Sequence, residues 1–233
     1  LRVDQGELQS ANPHQDLADL LLRFANRAFR RSVTAKELKP YVDFAKDEMA
    51  DSDSLLAGVR AGYRAILCSH RFIYFSEEPG RLDDYAIASR LSYFLWSTTP
   101  DAELRRLADA GKLSNPQTIR QQVERMLDDE RAQAFVENFS DNWLNLNDIN
   151  FTTPDAKLYP EFDPVLIYSM LDETHSFLSL MIEDDLSVTH VIDSDFTVVN
   201  ERLAHHYGLP FESGEELQKI TLTDDDHRGG IIT

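Results

Sequence analysis

Residues Asn12–Arg31 read NPHQDLADLLLRFANRAFRR, and their spacing decides the class of fold. Leu17, Leu20, Leu21, Phe24 and Ala28 recur three or four apart, the period of a helix with one apolar stripe. Asn12 reads as the cap of that helix and Pro13 as its first residue. Proline sets the first-turn φ and lacks only an N–H that would have no intrahelical partner there.

The same period continues outward. Thr34 and Glu37 in TAKELKPYVDFAKDEM have capping-box spacing, with Pro40 placed to delay or kink the helix that follows. A third helix over DSLLAGVRAGYRAILCS carries Gly58 and Gly62 four apart. Glycine lowers helix propensity by about 1 kcal/mol, so that pair predicts a close helix crossing as compensation. Asp83 or Asp84 caps DYAIASRLSYFLWS, whose apolar residues run nearly all round and predict a central helix, with Arg90 pairing with a carboxylate or snorkelling. Shorter helices follow over TPDAELRRLADAGKL, with Gly111 as its stop, and NPQTIRQQVERMLDD. The next, ERAQAFVENFSDNWLNL, carries Phe135, Phe139 and Trp143 four apart, a stripe expected to face the core. After the proline-rich loop NDINFTTPDAKLYPEFDP, Asp163 and Pro164 open the longest helix, PVLIYSMLDETHSFLSLMIEDD. From Ser187 the texture changes, and the short β-branched runs TVVN and LQKITL read as paired strands. The expected fold is mainly α, an array of about eight helices with a small irregular C-terminal part containing short strands. The expected divisions are residues 1–80 (a helical hairpin plus a third helix), 81–223 (a central helical domain with a small C-terminal subregion) and 224–233 (the start of a further, truncated domain).

Forty-one acidic against 23 basic residues give a formal charge of −18, which on average repels a polyanion and argues against nucleic acid as a partner. The runs EDD at Glu183 and DDD at Asp224 lack the alternating ligands and central glycine of a calcium loop and read as solvated ends. A lone cysteine, Cys68, excludes an internal disulfide and the paired-cysteine attachment of c-type haem, and reads as a small buried hydrophobe. No apolar run is long enough to span a bilayer, so no membrane insertion by this segment is expected. The chain begins without methionine and stops at RGGIIT, which reads as a piece of a longer protein with any export signal upstream, and with Ile231 and Ile232 left as apolar surface.

A site needs donors brought to one point, which on a single helix means three or four residues apart. In DFTVVNERLAHHYGLP, Glu201 and His205 satisfy this, with Asn200 as cap, whereas His206 lies about a hundred degrees round from His205. His175 falls on the face of Leu171, Leu178 and Ile182, beside Asp172 and Glu173. It reads as a satisfied core histidine, or else as a base tuned by carboxylates. Glu173, His175, Asp195, Glu201 and His205 are the weak catalytic candidates; no metal set and no cofactor-binding loop is expected, DHRGG making only a poor anion loop.

Taken in order, RFANRAFRRSVT, AILCSHRFIY, LDDYAIASRLSYFLWSTTPDAEL, ENFSDNWLNL, YPEFDP, DSDFTVVNERLAHHYGLP and RGGIIT resemble a planctomycete-type family of helical domains of unknown function, from about Leu17 to Thr233. Ser32 stands where that pattern usually has proline. The resemblance implies a large exported protein that also carries a c-type cytochrome domain and often a carbohydrate-binding-like module. Haem would then belong to a neighbouring domain, the partners would be other domains of the same polypeptide or an extracytoplasmic assembly, and no catalytic residue transfers. Two readings stand: a structural or interaction module, and an exported oxidoreductase or hydrolase with a His/Glu site acting on carbohydrate or a small organic substrate. Convergence of His175 and His205 on one pocket would favour the second.

Overall fold

A computed structural model describes all residues except Gln5, Gly6, Ser76, Glu78, Thr152, Thr153, Ala156, Glu212, Ile232 and Thr233, and all side chains of these except those of Val3, Asp4 and Asp224. The fold is mainly α, with ten α-helices and two small two-stranded antiparallel sheets among the described residues. The chain divides into two compact units, Leu1–Glu124 and Arg125–Thr233. The expectation for Ile232 falls outside the described residues.

The first unit opens with a hairpin of β1 (Arg2–Asp4) and β2 (Glu7–Gln9), an element without a sequence signal strong enough to foresee. Helices α1 (Pro13–Ala28), α2 (Ala35–Ser52) and α3 (Leu55–Leu67) bury one core through Leu17, Leu21, Val42, Ala45, Val59 and Ile66. The paired glycines are where α3 comes close. A Cβ on Gly58 would lie 2.7 Å from the Ala45 carbonyl oxygen, and one on Gly62 would lie 2.5 Å from a Leu21 methyl. Thr34 and Glu37 close the capping box, and α2 runs unbroken through Pro40. The helix starts at Ala35, so Pro40 does not delay it, and the one helical bond that proline cannot make is that to the carbonyl of exposed Lys36. Cys68 is exposed, contrary to the buried reading. It follows fully buried Ile66 by two positions, about 200° round the helix, and therefore faces outward.

The one-turn helix α4 (His70–Ile73) is tied to the end of α1 by Arg30, whose guanidinium donates to the carbonyls of Arg71, Phe72 and Tyr74. In α5 (Asp84–Trp96) the two aspartates divide the work. Asp83 caps the helix through the Ala86 N–H at 2.7 Å. Buried Asp84 accepts from the Leu113 N–H at 2.6 Å and from the Ser114 hydroxyl, so it fastens the turn after α6 (Ala102–Asp109) to α5. Arg90 pairs with Glu77. The helix is not enclosed on all sides: Phe94 is 62% exposed, because the buried line runs through Ala88, Ser92, Leu95 and Trp96. The unit boundary falls within α7 (Pro116–Leu127).

In the second unit, α8 (Gln133–Leu144) buries Val136 and Ser140. The aromatic stripe sits one residue, about 100°, away from that line. Phe139 and Trp143 are therefore 45% and 48% exposed; Phe139 stacks on Phe135 and Trp143 tilts against Phe139, with centroids 5.5 and 5.6 Å apart. Helix α9 (Pro164–Glu183) starts at Asp163, which accepts from the Leu166 N–H and from Arg202. Strands β3 (Phe196–Val199) and β4 (Gln218–Thr221) pair antiparallel with Phe196 opposite Thr221, as TVVN and LQKITL predicted in kind. Between them α10 (Glu201–Tyr207) is capped by Asn200 and stopped by Gly208 in the left-handed region. Leu166, Val199, Leu203, Ala204, Leu209 and Leu222 form the core beneath.

Candidate functional site

Helix α9 carries two of the candidates two positions apart, and two positions on a helix are about 200° apart. Glu173 and His175 are therefore aimed at different neighbours. His175 Nε2 meets Asp141 Oδ1 of α8 at 2.9 Å, a carboxylate-satisfied imidazole on a partly buried helix seam. Glu173 turns toward β3 and α10, where one of its oxygens accepts from the Thr197 hydroxyl at 2.7 Å and the other from the Tyr207 hydroxyl at 2.6 Å.

That carboxylate is the centre of a small cavity of about 210 Å³, lined by Glu173, Thr197, Tyr207 and Arg228 among apolar groups such as Met170 and Phe177. Tyr207 reaches it because it follows the buried Leu203 and Ala204 at helical spacing, which puts its ring on the core side of α10. The Arg228 guanidinium lies 3.5 Å over the centre of the Tyr207 ring. Burial, and then the adjacent Glu173 charge, push the Tyr207 phenol well above its ordinary value, so it remains a neutral donor. The RGG segment is a packed strap here and not an open anion loop. The Ile231 N–H donates to the Val191 carbonyl at 2.9 Å, and a Cβ on Gly230 would meet that same oxygen at 2.5 Å. Only glycine, at φ +83°, fits this approach.

The remaining candidates lie apart from this cavity. Glu201 clasps the loop before β4: its carboxylate accepts from the Gly214 N–H and its own N–H donates to the Gly214 carbonyl, each at 3.1 Å. Glu201 and exposed His205 line one surface groove with Asn200 and Phe211. Asp195 is exposed, and its backbone carbonyl accepts from Leu222 at the edge of the sheet. His175 and His205 thus serve different surroundings, the first on the α8–α9 seam and the second in the α10 groove. Among the described residues no three His, Cys, Asp or Glu side chains are grouped to hold a metal ion.

Sequence reasoning named Glu173 but missed Thr197, Tyr207, Arg228 and Asp141. The available signal was a polar residue at a core-facing position: Tyr207 on the inward side of α10, and Thr197 inside a strand buried at every residue. Nothing local in DHRGG indicated that Arg228 would lie over a tyrosine from a helix about twenty residues earlier.

Residues 16–77 match PSD5, a protein family of unknown function (DUF1595), and residues 82–209 match PSD4, a protein family of unknown function (DUF1592). No curated protein and no solved structure matches the chain. The second match covers more than half of the residues and contains α5 to α10 with the Glu173–Tyr207 pair, and on that coverage the chain belongs to the PSD4 family of proteins of unknown function.

Proposed function

We propose that this chain is a helical structural and interaction module of a large exported bacterial protein of planctomycete type, one that carries a c-type cytochrome domain elsewhere in its polypeptide. One observation carries the module reading. Three of the five candidate side chains are already engaged in joints: both Glu173 oxygens by Thr197 and Tyr207, Glu201 by Gly214, and His175 by Asp141. Each Glu173 oxygen already accepts a short bond from a protein hydroxyl, so a proton taken up there would disturb the joint of α9 with β3 and α10. The exported, cytochrome-linked context rests on the ordered motifs from RFANRAFRRSVT to RGGIIT and on their resemblance to such proteins. With one cysteine in the chain, covalent haem attachment falls to another domain. The partners on this reading are the neighbouring domains or an extracytoplasmic assembly.

The full-length protein, fractionated from its own cells and stained for covalent haem, tests the context. Recovery outside the cytoplasm with haem on the same polypeptide is the expected result; a cytoplasmic, haem-free product would contradict it.

The enzyme reading, an exported oxidoreductase or hydrolase acting on carbohydrate or a small organic substrate, keeps one favouring observation. Exposed His205 and Glu201 line a common groove. An activity of the full-length protein abolished by His205→Ala, with folding intact, would replace the module reading.

A further inference from the structure

We propose that the pocket beside α4 in the first unit binds the anionic head, carboxylate or phosphate, of a small organic molecule. The chain carries −18, yet among the described residues this cavity of about 440 Å³ is lined by Arg30, Arg31, Arg71 and Arg81 and by two acids, Glu77 and Asp83, with Glu37 bound to Arg31 and Arg71. Both of those acids have other engagements, Glu77 with Arg90 and Asp83 as the cap of α5. A locally positive concavity in an acidic protein focuses anions there.

Arg30 supplies the fixed part of that charge. It is 7% exposed, and its partners are the three neutral carbonyls of Arg71, Phe72 and Tyr74 and the face of Phe75 at 4.4 Å. No carboxylate reaches it among the described residues. A buried guanidinium without a counter-charge is costly, and an anion in the adjoining space would lower that cost.

Arg31 and Arg71 supply the donors. Both bind one oxygen of Glu37 at 2.6 Å, so a single carboxylate aligns two guanidiniums. The Nε and Nη2 of Arg71 and the Nε of Arg31 meet no acceptor among the described residues, which leaves N–H groups in the fork geometry that suits carboxylate and phosphate. Phe29, Tyr74 and Phe75 on the wall offer ring surface for an organic body.

The test is calorimetric and NMR titration of the whole chain at low salt with benzoate, galacturonate and inorganic phosphate, with benzyl alcohol as the uncharged counterpart. Saturable binding of at least one anion is expected, weakened about tenfold or more by Arg71→Gln or Arg81→Gln. Arg106→Gln, which removes a charge paired with Glu103 on α6, should leave it unchanged. Arg71→Gln also breaks the Glu37 pair, so its thermal melt is recorded beside it; Arg81, bonded among the described residues to the Ser114 carbonyl, keeps the test valid if that variant unfolds. Benzoate or galacturonate binding without phosphate assigns a carboxylate head, and the reverse assigns a phosphate. The proposal is overturned if no anion saturates by about 10 mM, if benzyl alcohol binds as well as benzoate, or if Arg106→Gln weakens binding as much as Arg81→Gln.

Discussion

Tyr207 shows how one hydroxyl can hold two elements together. Its bond to Glu173 joins α10 to α9, and replacing it by phenylalanine leaves a partly buried carboxylate with one donor fewer. Tyr207→Phe should lower unfolding free energy by about 1–3 kcal/mol in urea denaturation. The pH dependence has a definite sign. The phenol titrates near its ordinary value of about 10 in the unfolded chain but well above it in the folded one. The native state therefore binds more protons once the pH passes about 10, and the contribution present below that pH is lost as it rises. Wild type should lose stability above about pH 10 more steeply than Tyr207→Phe, measured as the difference between their urea midpoints. Parallel pH profiles would show that the phenol is not raised by its burial beside Glu173. Glu173 was legible as a candidate because it sits beside His175 in sequence. Its true partners were not, since Thr197 and Tyr207 reach it only through the packing of β3 and α10 on α9.

At the level of the element, Gly58 and Gly62 were the most informative residues, because a helix interior tolerates glycine only where something else is gained. The two differ in what they approach. A Cβ at Gly58 would press on backbone, the Ala45 carbonyl at 2.7 Å, whereas one at Gly62 would press on the tip of the Leu21 side chain. Gly58→Ala should destabilise by about 1–3 kcal/mol despite a propensity gain of about 1 kcal/mol, while Gly62→Ala, opposed by a side chain that can rotate, should cost less. Thermal melts of the two variants check the order, and a more stable Gly58→Ala would refute the close crossing. The aromatic stripe on α8 shows the limit of such reasoning. Period alone says that three rings share a face, but which face is buried depends on what packs there, and in α8 that is the line through Val136 and Ser140.

For the whole molecule, charge is the property that composition settles most directly. An excess of eighteen negative charges repels itself in the folded state, where the groups are held closer than in an expanded chain. Raising salt from about 20 mM to about 300 mM should therefore raise the melting temperature by a few degrees, as the Debye length shortens to less than about 10 Å. A fall instead would mean that the exposed ion pairs, such as Lys39–Asp43 and Arg106–Glu103, outweigh the repulsion. The two compact units each bury a core of their own, one through α1 to α3 and the other beneath β3 and α10.

By itself the sequence determined the helical class, most helix starts and stops, the two late strands and the acidic surface, because each follows from local spacing, capping and charge. Asn200, Asp163, Asp83 and Thr34 were readable as caps because a cap bonds within three residues, whereas Asn12, read the same way, holds the cap position of α1 without a side-chain cap bond. Tertiary structure alone decided that Glu173 faces Tyr207 and that His175 faces Asp141. It also decided that Gly230 lies against Val191, and that four arginines from three segments surround one cavity. Those outcomes depend on contacts between residues about twenty to forty or more positions apart, and a helical period fixes which residues share a face without fixing what that face meets.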